Sequence, residues 1–158
     1  MTVLETARAR LELLNRIDTV AIVGMSANPA RASNFVATYL LGRTDWTPWF
    51  VNPNETEILG LPVYPSLGAL PGVPDLVDVF RRRDELPAVV DEAIAVGAPA
   101  IWFQLGLVHD EAAATAAAAG LDVVQDRCLK IEHARFAGGL HTAGFDTGVI
   151  DSRRRRLV

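Results

Sequence analysis

Residues 19–33 read Thr19-Val20-Ala21-Ile22-Val23-Gly24-Met25-Ser26-Ala27-Asn28-Pro29-Ala30-Arg31-Ala32-Ser33, an apolar run that stops at a glycine and passes into a turn-rich polar loop. The five residues at 19–23 are short, largely β-branched and uninterrupted by charge, which predicts a strand covered on both faces. Residues 34–41 then suit a buried helix. Strand, loop and helix in that order make the first unit of an α/β domain.

The same alternation continues downstream. Residues 46–51 read as a second strand closed by Asn52-Pro53-Asn54, and residues 76–80 as a third running into Arg81-Arg82-Arg83. Asp84 is placed to cap a helix whose apolar positions Leu86, Val89, Val90, Ala93 and Ile94 follow the 3.6-residue period, with Gly97 ending it. Residues 100–103 form a fourth strand leading to Gln104-Leu105-Gly106. An alanine-rich helix over 110–119 closes at Gly120, and residues 121–124 form a fifth strand ahead of Asp126-Arg127-Cys128. Residues 58–74, broken by four prolines and three glycines, read as a connection with one helical turn at 66–70. Strands and helices alternating at this spacing predict a Rossmann-like, doubly wound parallel sheet of about five strands with helices on both faces.

Around that core, residues 1–16 read as an amphipathic helical arm. Leu4, Ala7, Leu11 and Leu14 share one face, with Glu5, Arg8, Arg10, Glu12 and Arg16 mostly elsewhere. The domain itself spans 17–137, and residues 138–158 form a glycine-rich tail ending in four arginines at 153–156. The 158 residues suit a single domain, and a net charge of −4 gives no general attraction to nucleic acid or an anionic membrane. Cys128 is the only cysteine, so no disulfide forms within the chain. The charged N-terminal segment lacks the apolar stretch of a signal peptide, and no run of 18 apolar residues occurs. A cytoplasmic protein is expected, with a homo-oligomer or a place in a larger assembly left open.

In an open parallel sheet the ligand crevice lies beyond the carboxyl ends of the strands. Those ends carry Gly24-Met25-Ser26, Asn52-Pro53, Phe80-Arg81-Arg82, Gln104-Leu105-Gly106 and Arg127-Cys128, all small, polar or cationic. The first loop is the natural phosphate seat. Gly24 allows a tight turn, Ser26 and Ser33 bring hydroxyls, and Arg31 brings a planar cationic fork, with Asn28 and Pro29 shaping the bend. Ser33 or a neighbour is expected to cap the helix that follows, whose free N–H groups favour an anion. The plainer alternative is that Gly24, Asn28 and Pro29 only turn the chain. The three arginines after Phe80 sit badly at a helix N-terminus, so either Asp84 and Glu85 or a ligand phosphate must compensate them.

Other chemistries fit less well. A GxGxxG fingerprint is missing, because Ser26 and Pro29 stand where its later glycines would fall. No carboxylate follows the second strand until Glu55, which disfavours NAD. No P-loop sequence occurs. Cys128 is either a packed small hydrophobe or a nucleophile with His133 as base and Asp126 nearby. His109 and His141 read as surface or loop residues, and no metal-ligand spacing is present.

Taken together, AIVGMSANPARAS, FVNPNETEILGLPVYPSL, DLVDVFRRRDELPAVVDEAIAVGA, IWFQLGLVHDEAAATAAAAGL and VVQDRCLKIEH give the chain its likeness to a known group. It resembles the small stand-alone CoA-binding protein family, itself similar to the CoA-binding N-terminal domain of the succinyl-CoA synthetase alpha subunit. The resemblance covers roughly residues 17–135. It implies that coenzyme A or an acyl-CoA lies across the strand ends. Its phosphates and adenosine would meet Ser26, Asn28, Arg31 and Ser33, with Asn52 and Pro53 bordering the nucleotide. Phe80 and Arg81 would line the next edge, and Phe103, Gln104 and Leu105 would meet the pantetheine. The synthetase carries a basic residue just after its second strand where this chain has Asn54, and Arg31, Arg81 or Arg82 would have to replace it. The synthetase's phosphorylated histidine belongs to a further domain that this chain does not include, so a binding module rather than a ligase is expected. An acyl- or thiol-transfer enzyme using Cys128, and an NAD-binding regulatory domain, are the alternatives.

Overall fold

The structure, a computed structural model, describes residues 2–137. The expected tail with its arginines at 153–156, and His141, lie outside the described residues. In chain order the elements are α1 (Ala7–Leu14), β1 (Thr19–Val23), α2 (Ala32–Arg43), β2 (Thr47–Val51), β3 (Glu57–Ile58), β4 (Leu61–Tyr64), β5 (Leu76–Val79), α3 (Leu86–Val96), β6 (Ala100–Phe103), α4 (Asp110–Ala118), β7 (Asp122–Val124) and α5 (Leu129–Ala137).

The strands make one seven-stranded sheet in the order β3-β4-β2-β1-β5-β6-β7, with every neighbouring pair parallel except β3 and β4. The doubly wound parallel sheet is present, with two strands more than the five expected. The extra pair is a hairpin inside the segment read as a connection. Leu59 and Gly60 both have positive φ (53° and 76°), the conformation a two-residue type I′ turn requires. Strands of two and four residues carrying Pro62 leave no periodicity to read. The single helical turn expected in the same segment forms over Leu67–Ala69.

Each face of the sheet has its own apolar layer. Ile22, Phe50 and Trp102 pack beneath Leu13 and Leu14 of α1, Val36 and Leu40 of α2, and Leu129 and Phe136 of α5. Ala21, Val77 and Ile101 point the other way, onto Leu86, Val90 and Ala93 of α3 and Ala113 and Ala116 of α4. Alternation along each strand therefore feeds two cores, which is why the strands show near-continuous apolar runs.

Three local expectations are corrected. The N-terminal helix starts only at Ala7, capped by Thr6, because Val3 pairs with Val123 and extends the sheet past β7. Arg10, read as lying off the apolar face, is buried with Leu13 and Leu14 because it finds a buried carboxylate in Glu132, while Leu4, Ala7 and Leu11 pack partly buried against the same core. Asp84 does not cap α3. It lies in a short 3-10 turn over Arg83–Glu85, where Glu85 instead accepts a bond from the Arg82 N–H. Gly97, with φ of 80°, ends α3 as read.

Candidate functional site

From β1 the chain steps outward on one side to β2 and β4, then crosses to the other side of β1 to begin β5. The strand order therefore reverses between β1 and β5, and at such a switch point the loops part and leave a crevice. Gly24 and Phe80 are the residues immediately after these two strands. The backbone of Gly24 has φ of 85°, and a β-carbon added there would lie 2.3 Å from the carbonyl oxygen of Phe80. Only glycine lets the first loop pass this close to the end of β5.

The loop after β1 is fixed by short-range hydrogen bonds. The Ser26 N–H donates to Ser33 Oγ at 3.0 Å, the Asn28 N–H to Ser26 Oγ at 3.1 Å, and the Ala30 N–H to Asn28 Oδ1 at 2.9 Å. From α2, Asn34 Nδ2 donates to the Ser26 carbonyl at 3.0 Å. Ser33 thus sits inside the first turn of α2 and braces the loop, and does not cap the helix as expected. The cap residue is Arg31, whose side chain makes no capping bond. The first turn of α2 keeps its positive end open at the crevice, where Ala32 and Ser33 form part of the wall.

The crevice has a volume of about 570 Å³. Gly24, Ser26, Arg31 and Ser33 line it from the first loop, Phe80 and Arg81 from the end of β5, and Gln104, Leu105 and Cys128 from the ends of β6 and β7. Nine of the residues selected from sequence therefore share one cavity. The others stand elsewhere. The side chains of Met25 and Phe103 are wholly buried, one in each core layer: Phe103 follows the alternation of β6, whereas Met25 lies past the positive-φ turn at Gly24 and enters the layer of Ile22. Asn52 Nδ2 donates to the Met25 carbonyl at 2.8 Å and Asn52 Oδ1 accepts from the Asn54 N–H, so Asn52 buttresses the loop from behind. Pro53, like Asn28, is outside the crevice wall, and Pro29 faces a separate groove between α2 and Lys130. Gly106 is held outside the wall by its N–H, which donates to Asp126 Oδ1 at 2.7 Å.

The arginine run is compensated within the protein. Arg81 Nε lies 3.0 Å from Glu85 Oε2, Arg82 is exposed beside Asp84 and Glu85, and Arg83 Nε donates to the Val108 carbonyl at 2.7 Å. Glu85 holds the Arg81 fork at the crevice edge, and Arg82 is not part of the wall.

Ala32, Leu107 and Ile131 complete the wall and were not selected from sequence. Ile131 could not be, because α5 was not recognised. Its buried positions 129, 132, 133, 136 and 137 have helical spacing, yet two of them are Glu132 and His133. Glu132 pairs with Arg10 Nε at 3.0 Å, and His133 Nδ1 lies 2.8 Å from the Tyr39 hydroxyl, edge-on to Tyr39 and Trp46. Burial holds the imidazole down to a pKa of about 4. His133 Nδ1 is engaged by Tyr39 and Asp126 Oδ1 by the Gly106 N–H, and among the described residues no hydrogen bond joins the side chain of either to Cys128. His109 is a helix cap, its Nδ1 accepting from the Ala112 N–H at 3.1 Å.

Behind the crevice, Asp78 lies in the middle of β5, between Ile22 and Trp102. It is fully buried, and burial raises its carboxyl to a pKa of about 8, moderated by a hydrogen bond from Gln104 Nε2. Its second oxygen, Oδ2, has no hydrogen-bond partner. One acid inside the apolar run 76–80 was the available signal. Among the described residues, no group of three or more His, Cys, Asp or Glu is gathered to hold a metal ion, and no helix is long and apolar enough to cross a membrane.

A doubly wound parallel sheet with a crevice at its switch point defines a Rossmann-like α/β domain. Residues 18–134 match the family described as CoA binding domain. The chain belongs to that family. It is 37% identical over 123 residues to the uncharacterized protein YneT of Bacillus subtilis (strain 168), covering 78% of this chain and 90% of YneT. A solved hypothetical protein from Pyrococcus horikoshii OT3 superposes with a TM-score of 0.79 at 37% identity, over 85% of this chain and 94% of that one. A Thermus thermophilus protein does so with a TM-score of 0.78 at 31% identity, over 83% and 98%. The fold also recurs in an acetyl-coenzyme A synthetase of Ca. Korarchaeum cryptofilum, at 22% identity and a TM-score of 0.65, over 72% of this chain and 27% of the synthetase.

Proposed function

We propose that the switch-point crevice binds coenzyme A or an acyl-CoA, and that the protein is a cytoplasmic binding module that performs no reaction on it. The observation that carries this is the mixed lining of the crevice. The open first turn of α2 with Ser26, Arg31 and Arg81 offers groups suited to a pyrophosphate. Leu105, Leu107, Ile131 and Cys128 in the same wall suit an aliphatic arm ending in a thiol or thioester. A volume of about 570 Å³ lies within the usual span for a small-molecule cofactor site.

A dinucleotide is served less well. The residue after β2 is Asn52, whose amide is spent on Met25 and Asn54, so no carboxylate stands ready for a ribose. Acyl transfer through Cys128 is served less well, because His133 spends Nδ1 on the Tyr39 hydroxyl and stands edge-on to Trp46.

Titration calorimetry with CoA, acetyl-CoA, NAD and ATP tests the reading. Saturable heat with the two CoA species, and weaker or absent heat with NAD and ATP, is expected. No binding of either CoA species, or tighter binding of NAD, overturns it.

A further inference from the structure

Asp78 is a costly residue for the sheet. A carboxyl group in β5, an inner strand, is fully buried, and one of its oxygens has no partner among the described residues. Leaving a buried acceptor unpaired costs roughly 1–3 kcal/mol, whereas an apolar residue of similar size between Ile22 and Trp102 would cost nothing of the kind. Its single polar partner is Gln104, and Gln104 is a residue of the crevice wall. The acid thus stands directly behind one wall residue of the site and, among the described residues, its side chain is bonded to no other side chain.

A glutamine carboxamide has a donor end and an acceptor end, and which one faces a ligand is decided by what holds the other. Gln104 Nε2 donates to Asp78 Oδ1, which commits one of its two N–H donors to the protein interior and fixes the plane of the carboxamide. The same stretch is pinned again two residues later, where the Gly106 N–H donates to Asp126 Oδ1. The wall at the end of β6 is thereby set from both sides.

We propose that Asp78 is a positioning residue that acts through Gln104, turning the carboxamide oxygen toward the crevice so that this wall selects a ligand bearing amide N–H donors. The inference rests on the coenzyme A reading and deepens it. The amide-bearing arm of the ligand is recognised by Gln104, while the phosphates are held by α2, Arg31 and Arg81. Asp78 never touches the ligand. Its contribution is the orientation of one side chain.

The test compares two probes, CoA and adenosine 3′,5′-bisphosphate, which carries phosphates and adenosine but no amide arm. Asp78→Ala is expected to weaken CoA about fivefold, the worth of one ordinary hydrogen bond, while leaving the bisphosphate unchanged. Gln104→Ala gives a loss of the same kind, and adding Asp78→Ala to it costs nothing more, because the two residues act as a unit. Asp78→Asn keeps an acceptor for Gln104 Nε2 and restores CoA affinity to within about twofold of the parent. Equal losses on both probes, an additive double variant, or an Asn variant as weak as the Ala variant overturns the proposal. If the parent protein binds the bisphosphate but not CoA, or neither, the coenzyme A reading itself fails, and that failure is separate from the variants' behaviour.

Discussion

The backbone of Gly24 runs so close to that of Phe80 that a β-carbon on the glycine would sit 2.3 Å from the Phe80 carbonyl oxygen. The contact joins the two loops that bound the crevice, and Gly24 meets it with φ of 85°. Gly24→Ala therefore incurs both backbone strain and a clash with main chain that cannot swing away. The substitution is expected to cost on the order of 3 kcal/mol. Chemical denaturation checks it, and a variant within 1 kcal/mol of the parent would show that the loops part freely.

Arg10 and Glu132 form a buried ion pair between α1 and α5, and Arg10 also donates to the Glu5 carbonyl at 2.9 Å. Removing either partner alone strands a buried charge. Arg10→Met or Glu132→Leu should each destabilise by about 3–5 kcal/mol, whereas the double apolar variant recovers most of the loss. Denaturation midpoints of the three variants measure this, and additive losses would contradict it.

Two buried groups set opposing pH dependences. The folded Asp78 carboxyl titrates at about 8 against an ordinary value of 3.8, so the folded chain holds a proton the unfolded chain has lost, and stability declines as pH rises across that window. His133 titrates at about 4 against an ordinary 6.5, so the unfolded chain takes up the proton first and stability declines as pH falls below 6.5. Between pH 4 and 6.5 the two slopes oppose each other, and from 6.5 to 8 only that of Asp78 remains. Asp78→Asn should abolish the decline from pH 6.5 to 8 and leave His133's contribution intact. Urea unfolding at a series of pH values reads this directly.

Arg31 and Arg81 bracket the open end of α2. Replacing either with Gln is expected to weaken CoA by about tenfold or more, the worth of a charge-assisted hydrogen bond, and to flatten the salt dependence of binding. Arg82→Gln, outside the wall, should change affinity less than twofold. Calorimetry at two ionic strengths distinguishes the three.

Sequence made the parallel core legible because β1, β2, β5, β6 and β7 are apolar runs that end in turn residues, and because the polar ends of parallel strands meet on one edge. What it hid has physical causes. The β3–β4 hairpin is too short to show a period. Helix α5 places Glu132 and His133 on its buried face, where only partners distant in sequence, Arg10 and Tyr39, make polar residues tolerable. Phe103 adjoins the rim, yet the alternation of β6 sends it into one core, and the turn at Gly24 sends Met25 into the other. Asp78 was visible as a single acid in an apolar strand, and only its bond to Gln104 ties it to the site.

A crystal grown with coenzyme A tests the central claim most directly. The pyrophosphate is expected against the first turn of α2 beside Arg31 and Arg81, with the thiol arm running past Gln104 toward Cys128. Coenzyme A found away from the β1–β5 switch point, or lying with its thiol at α2, would contradict it.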